Sequence, residues 1–215
     1  MEFKKAQEAF EFYYNEISNN GINFSNTKTL FDQGFKIINP LDNTINTLFR
    51  KWNHQYAEAE WQWYLSGDRN LKGLEKTYGK VPEIWKRMAF DNGDVNSNYG
   101  WQWNRNNQLS RVIKLLKANK STRQATISIY DGKEISEYIY DTPCTYSVQF
   151  TIVNDRLNMS VLMRSNDLWF GFCNDQYCFS RLQEMVSNEL NIEIGTYYHY
   201  AHNLHVYENF LNLNK

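Results

Sequence analysis

The sequence "CTYSVQFTIVNDRLNMSVLMRS", residues 144–165, contains two stretches of alternating bulky residues that meet at a short polar turn. Such alternation predicts β-strands over 144–153 and 156–165, and the "NDR" between them is typical of a hairpin turn. Cys144 begins the first strand and Arg164 ends the second, so they lie on adjacent strands of the predicted hairpin. The hairpin therefore places a thiol and a guanidinium at one end of a sheet.

The rest of the chain predicts helices and further strands around this hairpin. Helical spacing of apolar residues favours helices over residues 2–17, 43–66, 81–90, 106–119 and 174–190. Alternation predicts two more strands, over 123–131 and 195–210. Because no repeat, low-complexity tract or Pro/Gly-rich linker interrupts the sequence, we expect residues 1–215 to form a single domain of mixed α and β elements.

Composition excludes several classes of protein. Hydrophobic residues make up 42% of the 215 residues and aromatic residues 16%, which supplies a substantial core and argues against disorder. The 23 basic and 24 acidic residues are intermixed, so we expect neither general nucleic-acid binding nor membrane-surface binding. Three cysteines are too few for a disulfide framework or a four-ligand zinc site, and we expect no metal. With no signal peptide or membrane span in the sequence, a reducing cytoplasm fits best.

Polar groups that could bind a ligand follow the second strand, in "MRSNDLWFGFCND", residues 163–175. Arg164 and Ser165 could hold a phosphate through a guanidinium fork and a hydroxyl. Asp167 and Asp175 flank an apolar segment whose glycine permits close approach of the backbone to a ligand. On these residues alone, the more frequent roles remain open: a surface ion pair for Arg164 and a small buried hydrophobe for Cys144.

Six blocks, in chain order, resemble the thymidylate synthase family: "EWQWYLSGDRN" (60–70), "EIWKRM" (83–88), "NSNYGWQW" (96–103), "TPCTYSVQF" (142–150), "MRSNDLWFGFCND" (163–175) and "NLHVY" (203–207). Within the family, three of them look most similar to phage enzymes that hydroxymethylate deoxycytidylate (dCMP). The resemblance implies an α+β fold with a mixed β-sheet flanked by helices, and a homodimer with sheets packed face to face. It further implies one-carbon transfer from 5,10-methylenetetrahydrofolate to carbon 5 of dCMP, with water capture giving 5-hydroxymethyl-dCMP in the host cytoplasm.

The resemblance also implies catalytic roles for individual residues. Cys144 matches the nucleophile that adds to carbon 6 of the pyrimidine, and we expect Arg164 to favour its thiolate. Glu60 matches the general acid/base, and its aromatic surroundings predict a raised pKa. Tyr99 matches a tyrosine implicated in removal of the carbon 5 proton. Asp175 stands where synthases have a uracil-reading asparagine, and a carboxylate there would accept from the amino group of cytosine and favour a protonated N3.

Five further matches concern the nucleotide. Arg164 and Ser165 match phosphate-binding residues of the family. Arg123 matches an arginine that reaches across the dimer to the partner's phosphate. His205 and Tyr207 match the pair that contacts the sugar 3′-hydroxyl.

The remaining matches concern the base, the folate and one substitution. Gln149 falls where the family has a base- and network-contacting glutamine. Asp167 matches a pterin-binding aspartate, and Trp85 an indole near the exocyclic methylene. No arginine precedes Arg50, so Lys28 is our substitute for the family's N-terminal phosphate-loop arginine.

Alternatives remain at this point. The chain could act on dUMP or CMP as a methylase or hydroxymethylase, or it could be a catalytically silent relative that binds a nucleotide or RNA. The eight residues after Tyr207 form a short tail, which favours the silent alternative, whereas a complete set of reactive side chains favours the enzyme. Asp175 could also be a helix N-cap rather than a base-reading residue.

Overall fold

The computed structural model describes residues 1–213, and in them the hairpin of residues 144–165 forms part of a larger mixed sheet. Asn154 and Asp155 both have positive φ, 52° and 55°, as a two-residue type I′ turn requires. The strands are β1 (Glu2–Phe3), β2 (Ile22–Phe24), β3 (Thr27–Ile37), β4 (Thr126–Ser128), β5 (Thr145–Val153), β6 (Arg156–Met163), β7 (Asn166–Asp167) and β8 (Glu193–Tyr207). The helices are α1 (Ala6–Asn20), α2 (His54–Ser66), α3 (Leu71–Tyr78), α4 (Glu83–Met88), α5 (Tyr99–Asn104), α6 (Gln108–Ala118) and α7 (Cys173–Leu190).

The order of strands in the sheet is β1-β3-β8-β6-β5-β4, with β2 paired to β3 and β7 paired to β8. β8 pairs antiparallel with β3 and parallel with β6, while β6 pairs antiparallel with β5. A short π-helical turn, Leu168–Phe172, joins β7 to α7. Parallel and antiparallel pairs therefore coexist in one sheet, and this confirms the α+β fold class.

One face of the sheet is covered by helices and forms the core. α1 packs on β3, and α7 packs on β6 and β8, with α2 behind α7. Alternate residues of the long strands β3, β5, β6 and β8 point into this layer and are fully buried, among them Phe35, Val148, Phe150, Val161 and Tyr197. Within residues 1–213, no helix combines the length and the apolar character that crossing a membrane requires.

The opposite face of the sheet carries the other half of each strand. The register aligns Lys36, Tyr198, Ser160 and Gln149 in one row across four strands. These residues are half-buried or exposed, in contrast to their fully buried neighbours along each strand. Gln149 therefore lies on the face that the helices leave uncovered.

The structure corrects several predicted boundaries. The helix predicted over 43–66 begins only at His54, because the side chain of Asn53 caps it by accepting from the Tyr56 N–H at 3.0 Å. The strand predicted over 123–131 is regular only at Thr126–Ser128. The helix predicted over 2–17 begins at Ala6, because Glu2 and Phe3 form β1, and it ends at Asn20. The long strand β3 had no counterpart among the predicted elements.

Candidate active site

One edge of the sheet gathers the reactive side chains. The backbone N–H of Arg164 donates to the carbonyl of Cys144 at 2.8 Å, so the start of β5 lies beside the end of β6. β7 continues this line next to β8 and pairs Asp167 with His205. The sheet thus brings together side chains that are up to 61 residues apart in sequence, from Cys144 to His205.

Arg164 holds the strand that carries the cysteine, but it does not make Cys144 acidic. Its Nη2 lies 3.7 Å from Sγ, while Nε and Nη2 also donate to the carbonyls of Pro143 and Thr142 at 3.0 and 2.7 Å. Burial raises the pKa of the thiol to about 11. The charge of Arg164 lowers this pKa, whereas nearby carboxylates, of which Asp175 has the largest effect, raise it further. Arg164 favours the thiolate, as expected, but desolvation outweighs the cation and the thiol keeps its proton.

The alkylation rate of Cys144 should follow this raised pKa. Only the thiolate reacts with iodoacetamide, so labelling should rise about tenfold between about pH 8.5 and pH 9.5. A thiol with an ordinary pKa would change by less than about twofold over that interval. Peptide mass mapping separates Cys144 from Cys173 and Cys178, which are buried. A labelling rate that levels off near pH 8.5 in the folded protein would contradict the assignment.

Glu60 is almost fully buried on α2, with 4% of its surface exposed. The hydroxyl of Tyr56, one helical turn earlier, donates to its Oε1 at 2.8 Å, and the indole of Trp85 donates to that hydroxyl at 2.7 Å. Burial raises the pKa of Glu60 to about 7, with hydrogen bonds from Tyr56, Trp85 and Tyr64 opposing it. The prediction of a raised pKa is confirmed. At neutral pH this carboxyl can both give and take a proton.

Replacing Glu60 by glutamine should change how stability depends on pH. A carboxyl whose pKa is raised on folding binds its proton more tightly in the native state, so stability falls as pH rises from the unfolded value of 4.5 to about 7. Between about pH 5 and pH 8 the free energy of unfolding of Glu60→Gln should therefore gain about 2 kcal/mol relative to wild type. Urea titrations at both pH values measure this.

Glu58→Gln is the matched control on the same helix. Burial raises the pKa of Glu58, but hydrogen bonds from Tyr177 and Gln62 outweigh it and the net pKa is lowered. The stability contribution of Glu58 is lost only as pH falls below about 4.5, so the difference between Glu58→Gln and wild type should stay nearly constant between about pH 5 and pH 8. The account of Glu60 fails if Glu60→Gln and wild type keep a constant difference across the range.

Asp175 lies in the first turn of α7. The residue is partly exposed, but its carboxyl group is surrounded by protein. Burial raises the pKa of this carboxyl well above its usual value, and the nearby charges of Glu60 and Asp167 raise it further. Its Oδ2 accepts from the Asn166 amide at 2.8 Å. Because Phe172 occupies the N-cap position, the helix-cap alternative does not describe this aspartate.

Tyr99 begins α5 and is buried against α2. A Cβ at the next residue, Gly100, would lie 1.6 Å from the carbonyl oxygen of Tyr64, so only glycine permits this contact between the two helices. Burial raises the pKa of Tyr99 well above its usual value, with the Asp175 and Cys144 charges adding to it. The hydroxyl therefore stays protonated in the free protein and lies within the electrostatic reach of both groups.

Four more predicted residues line the same edge. The Oδ1 of Asp167 accepts from the Trp169 N–H at 2.9 Å, and burial raises the pKa of Asp167 to about 6. His205 is neutral because burial lowers its pKa, and its ring centroid lies 5.4 Å from that of Tyr207. Tyr207 is 38% exposed, and Ser165 is half-buried, so both can reach a ligand.

Three predicted residues do not join this group. The amide of Gln149 contacts the Thr126 hydroxyl and the Phe150 carbonyl on the uncovered face, so its base-contacting role stays a prediction without geometric support. Lys28 donates to the carbonyl of Ser18 at 3.0 Å. Arg123 is exposed and precedes β4, in which Thr126 pairs with Gln149 of β5. Gln149 lies roughly 16 Å along β5 from Cys144, so Arg123 is remote from the cysteine.

The structure adds residues that the sequence reasoning did not single out. Tyr56 lies four residues before Glu60, so helical spacing alone could have indicated that contact. Asn166 stands inside the 163–175 block, but its partner His199 is 33 residues further along the chain. No local pattern connects those two.

The fold that carries this site matches that of a thymidylate synthase. The thermostable thymidylate synthase A from Bacillus subtilis superimposes with a TM-score of 0.79 over 94% of this chain and 80% of that chain, at 21% identity. The thymidylate synthase family model matches residues 15–215. The chain belongs to the thymidylate synthase family.

Curated relatives include enzymes that are named for different substrates. Deoxycytidylate 5-hydroxymethyltransferase of Enterobacteria phage T4 is 32% identical over 67% of this chain and 60% of its own. Deoxyuridylate hydroxymethyltransferase of Bacillus phage SP01 is 32% identical over 79% of this chain and 47% of its own. Thymidylate synthase of Vesicomyosocius okutanii is 28% identical over 68% of this chain and 57% of its own. The chain spans about 60% of the length of the first relatives it matches.

Proposed function

We propose that the protein converts dCMP to 5-hydroxymethyl-dCMP, using a one-carbon unit from 5,10-methylenetetrahydrofolate and the oxygen of water. The carboxyl group of Asp175, which accepts from the Asn166 amide at 2.8 Å and whose pKa is raised by burial, carries this proposal. Cytosine offers an acceptor at N3 and a donor at its amino group, and a protonated carboxyl offers a donor and an acceptor. Asp175 would thus supply the proton that N3 lacks. As carbon 6 is attacked, that proton stabilises the charge developing on the ring.

Cys144 supplies the nucleophile in this proposal. Carbon 5 of a pyrimidine is a poor nucleophile until a sulfur adds to carbon 6 and creates an enamine. The thiol of Cys144, which its raised pKa keeps protonated beforehand, would pass its proton to water or to an ionised carboxylate as the sulfur adds to carbon 6. Breaking the same bond at the end restores both the aromatic ring and the enzyme.

Tyr99 and Glu60 move the remaining protons. Tyr99 would relay the proton of carbon 5: its phenol oxygen would accept that proton as its own hydroxyl proton passes to an ionised carboxylate or to water, and it lies within the electrostatic reach of Cys144 and Asp175. Glu60, with a pKa raised to about 7, would take a proton from the water that adds to the exocyclic carbon. Tyr56 and Trp85 hold this carboxyl in one orientation through their hydrogen bonds.

The residues present fit a folate. 5,10-Methylenetetrahydrofolate supplies a carbon at the oxidation level of formaldehyde. Asp167 has a carboxyl that would accept from the ring N–H groups of a pterin, and the neighbouring Phe170 ring is 47% exposed. Trp85 adds a second, partly buried aromatic surface near Glu60. An acceptor beside exposed aromatic surface is the combination that a flat heterocycle requires.

Arg164, Ser165, His205 and Tyr207 would hold the nucleotide by its phosphate and sugar. The guanidinium of Arg164 has five N–H groups and directs only Nε and Nη2 to the neighbouring carbonyls. Its remaining N–H groups and the Ser165 hydroxyl would bind phosphate oxygens. The rings of His205 and Tyr207 would offer the sugar a ring nitrogen and a hydroxyl.

Asp175→Asn tests the proposed substrate. The amide complements uracil and cannot supply a proton to cytosine N3, so the dCMP:dUMP ratio of kcat/KM should fall by about a hundredfold or more. Asp141→Asn is the matched control, because Asp141 is also buried and holds Ser97 rather than the base. Its ratio should stay at the wild-type value. An unchanged ratio in Asp175→Asn would remove the base-reading role.

A second candidate substrate is dUMP. The Bacillus phage SP01 relative, which matches 79% of this chain, is named a deoxyuridylate hydroxymethyltransferase. This alternative predicts that wild type turns over dUMP at least as well as dCMP in the same assay. If CMP is the substrate, the same assay with the ribonucleotide would give product. A catalytically silent relative would bind the nucleotide and form no product.

A homodimer is part of this proposal. The uncovered face of the sheet presents partly buried aromatic and aliphatic side chains, including Tyr198, Tyr200 and Leu162, on which a second sheet could pack. Arg123 is exposed and remote from Cys144 of its own chain. In a dimer with shared sites it would bind the phosphate at the partner's Cys144.

Mixing two impaired variants tests the shared site. Arg123→Ala damages the phosphate site it would reach in the partner, and Cys144→Ser removes the nucleophile from its own site. Subunit exchange would create hybrids with one intact site out of two, so activity should rise to about a quarter of wild type in an equal mixture. The idea fails if sedimentation shows a monomer, or if exchanged mixtures recover nothing.

A further inference from the structure

Four hydrogen-bonded side chains lead from the interior of the sheet to Asp175. The Tyr197 hydroxyl lies 2.9 Å from Nδ1 of His199, and Nε2 of His199 lies 3.1 Å from Oδ1 of Asn166. The Asn166 amide then donates to Oδ2 of Asp175 at 2.8 Å. Tyr197, His199 and Asn166 are at most 2% exposed, so water cannot substitute for any of these bonds.

These hydrogen bonds all run in one direction. Burial lowers the pKa of His199 to about 3, so its imidazole is neutral and has a single N–H. The Asn166 amide turns its NH₂ group toward Asp175, so its oxygen must accept from Nε2 of His199. Nδ1 is then an acceptor, and the Tyr197 hydroxyl donates to it.

Reversing the direction would leave a buried hydroxyl without an acceptor. In the reversed arrangement the Asn166 oxygen would face Asp175, and His199 would donate through Nδ1 to the Tyr197 oxygen. The Tyr197 hydroxyl could then no longer donate to Nδ1 of His199. Leaving this buried donor unpaired would cost about 1–3 kcal/mol of stability. Tyr197 therefore fixes the direction of the whole series.

This direction matters because a protonated carboxyl by itself does not discriminate between the two bases. With the proton on one oxygen it complements cytosine, and with the proton on the other it complements the N3–H and O4 of uracil. The N–H of Asn166 occupies a lone pair of Oδ2 and favours the proton on Oδ1. Oδ2 retains a second lone pair that can accept from the amino group of cytosine.

We propose that Tyr197, His199 and Asn166 are positioning residues that place the proton of Asp175 on Oδ1 and thereby make the site select cytosine over uracil. This inference rests on the proposed base-reading role of Asp175. The glycine beside the pair supports the arrangement: a Cβ at Gly171 would lie 3.1 Å from Nδ2 of Asn166 and 3.3 Å from Oδ2 of Asp175. Backbone thus closes over this hydrogen bond.

Nucleotide binding to Tyr197→Phe and Asn166→Ala tests the proposal. Calorimetric titration with dCMP and with dUMP, without folate, gives the ratio of the two affinities for each protein. Tyr197→Phe keeps the buried ring and removes the donor, so the dCMP:dUMP ratio should fall about three- to tenfold. Asn166→Ala removes the N–H on Oδ2, and the ratio should fall about tenfold or more.

Tyr177→Phe is the matched control. Its hydroxyl also donates to a carboxylate, that of Glu58, and it lies outside the series that ends at Asp175. The ratio in this variant should equal that of wild type. If Asn166→Ala does not fold, Tyr197→Phe alone decides, because removal of one hydroxyl preserves packing.

The outcomes separate this inference from the proposed function. A purely structural role would lower both affinities by one factor and leave the ratio within about twofold of wild type; that result in Tyr197→Phe overturns the inference. If Asp175→Asn changes the ratio while these variants do not, only the positioning role is lost. If wild type binds dUMP as tightly as dCMP, the proposed base reading itself is lost.

Discussion

The parallel pairing of β6 with β8 is the constraint on which the site depends. Parallel strands end at the same edge of a sheet, so Asp167 lies beside His205, and Arg164, which follows the Met163–Ala201 pair, lies at the same edge. β5 runs antiparallel to β6, so its start, with Cys144, meets the same edge. A sheet with a different strand order would separate the thiol from the residues that would hold a nucleotide. α7 then follows β7 after one short turn and brings Asp175 over that edge.

The second physical feature is that burial raises the pKa values of the acidic groups at the site. Carboxyl groups that share a buried volume repel one another when ionised and are poorly solvated, so their pKa values rise together. Burial raises the pKa of Glu60 to about 7, that of Asp167 to about 6 and that of Cys144 to about 11. It also raises the pKa of Asp175. The site therefore holds protons near neutral pH that a pyrimidine can receive. This costs stability, which the aromatic packing around the site must offset.

The sequence predicted those parts of the fold that depend on local pattern. Alternation identified the hairpin of 144–165, and the resemblance identified the thymidylate synthase fold. β3 was missed because Asp32 has a positive φ of 56° and interrupts its alternation; long pairing with β8 holds that strand in place. The favourable effect of Arg164 on the Cys144 thiolate was predicted, but the larger opposing effect of burial was not, because the sequence shows a nearby arginine and not the depth of burial. The contact between Asn166 and His199 depends on strand order, which no spacing in the sequence encodes.

The central claim is that Asp175 selects cytosine at a site where Cys144 activates the ring and water completes the reaction. Incubation of the protein with dCMP and 5,10-methylenetetrahydrofolate in heavy-oxygen water, followed by mass analysis of the nucleotide, tests it most directly. The account predicts a nucleotide heavier than dCMP by one CH₂O unit that carries the heavy oxygen. A product heavier by only one CH₂ unit would show reduction in place of water capture, and it would contradict the account, as would product from dUMP alone.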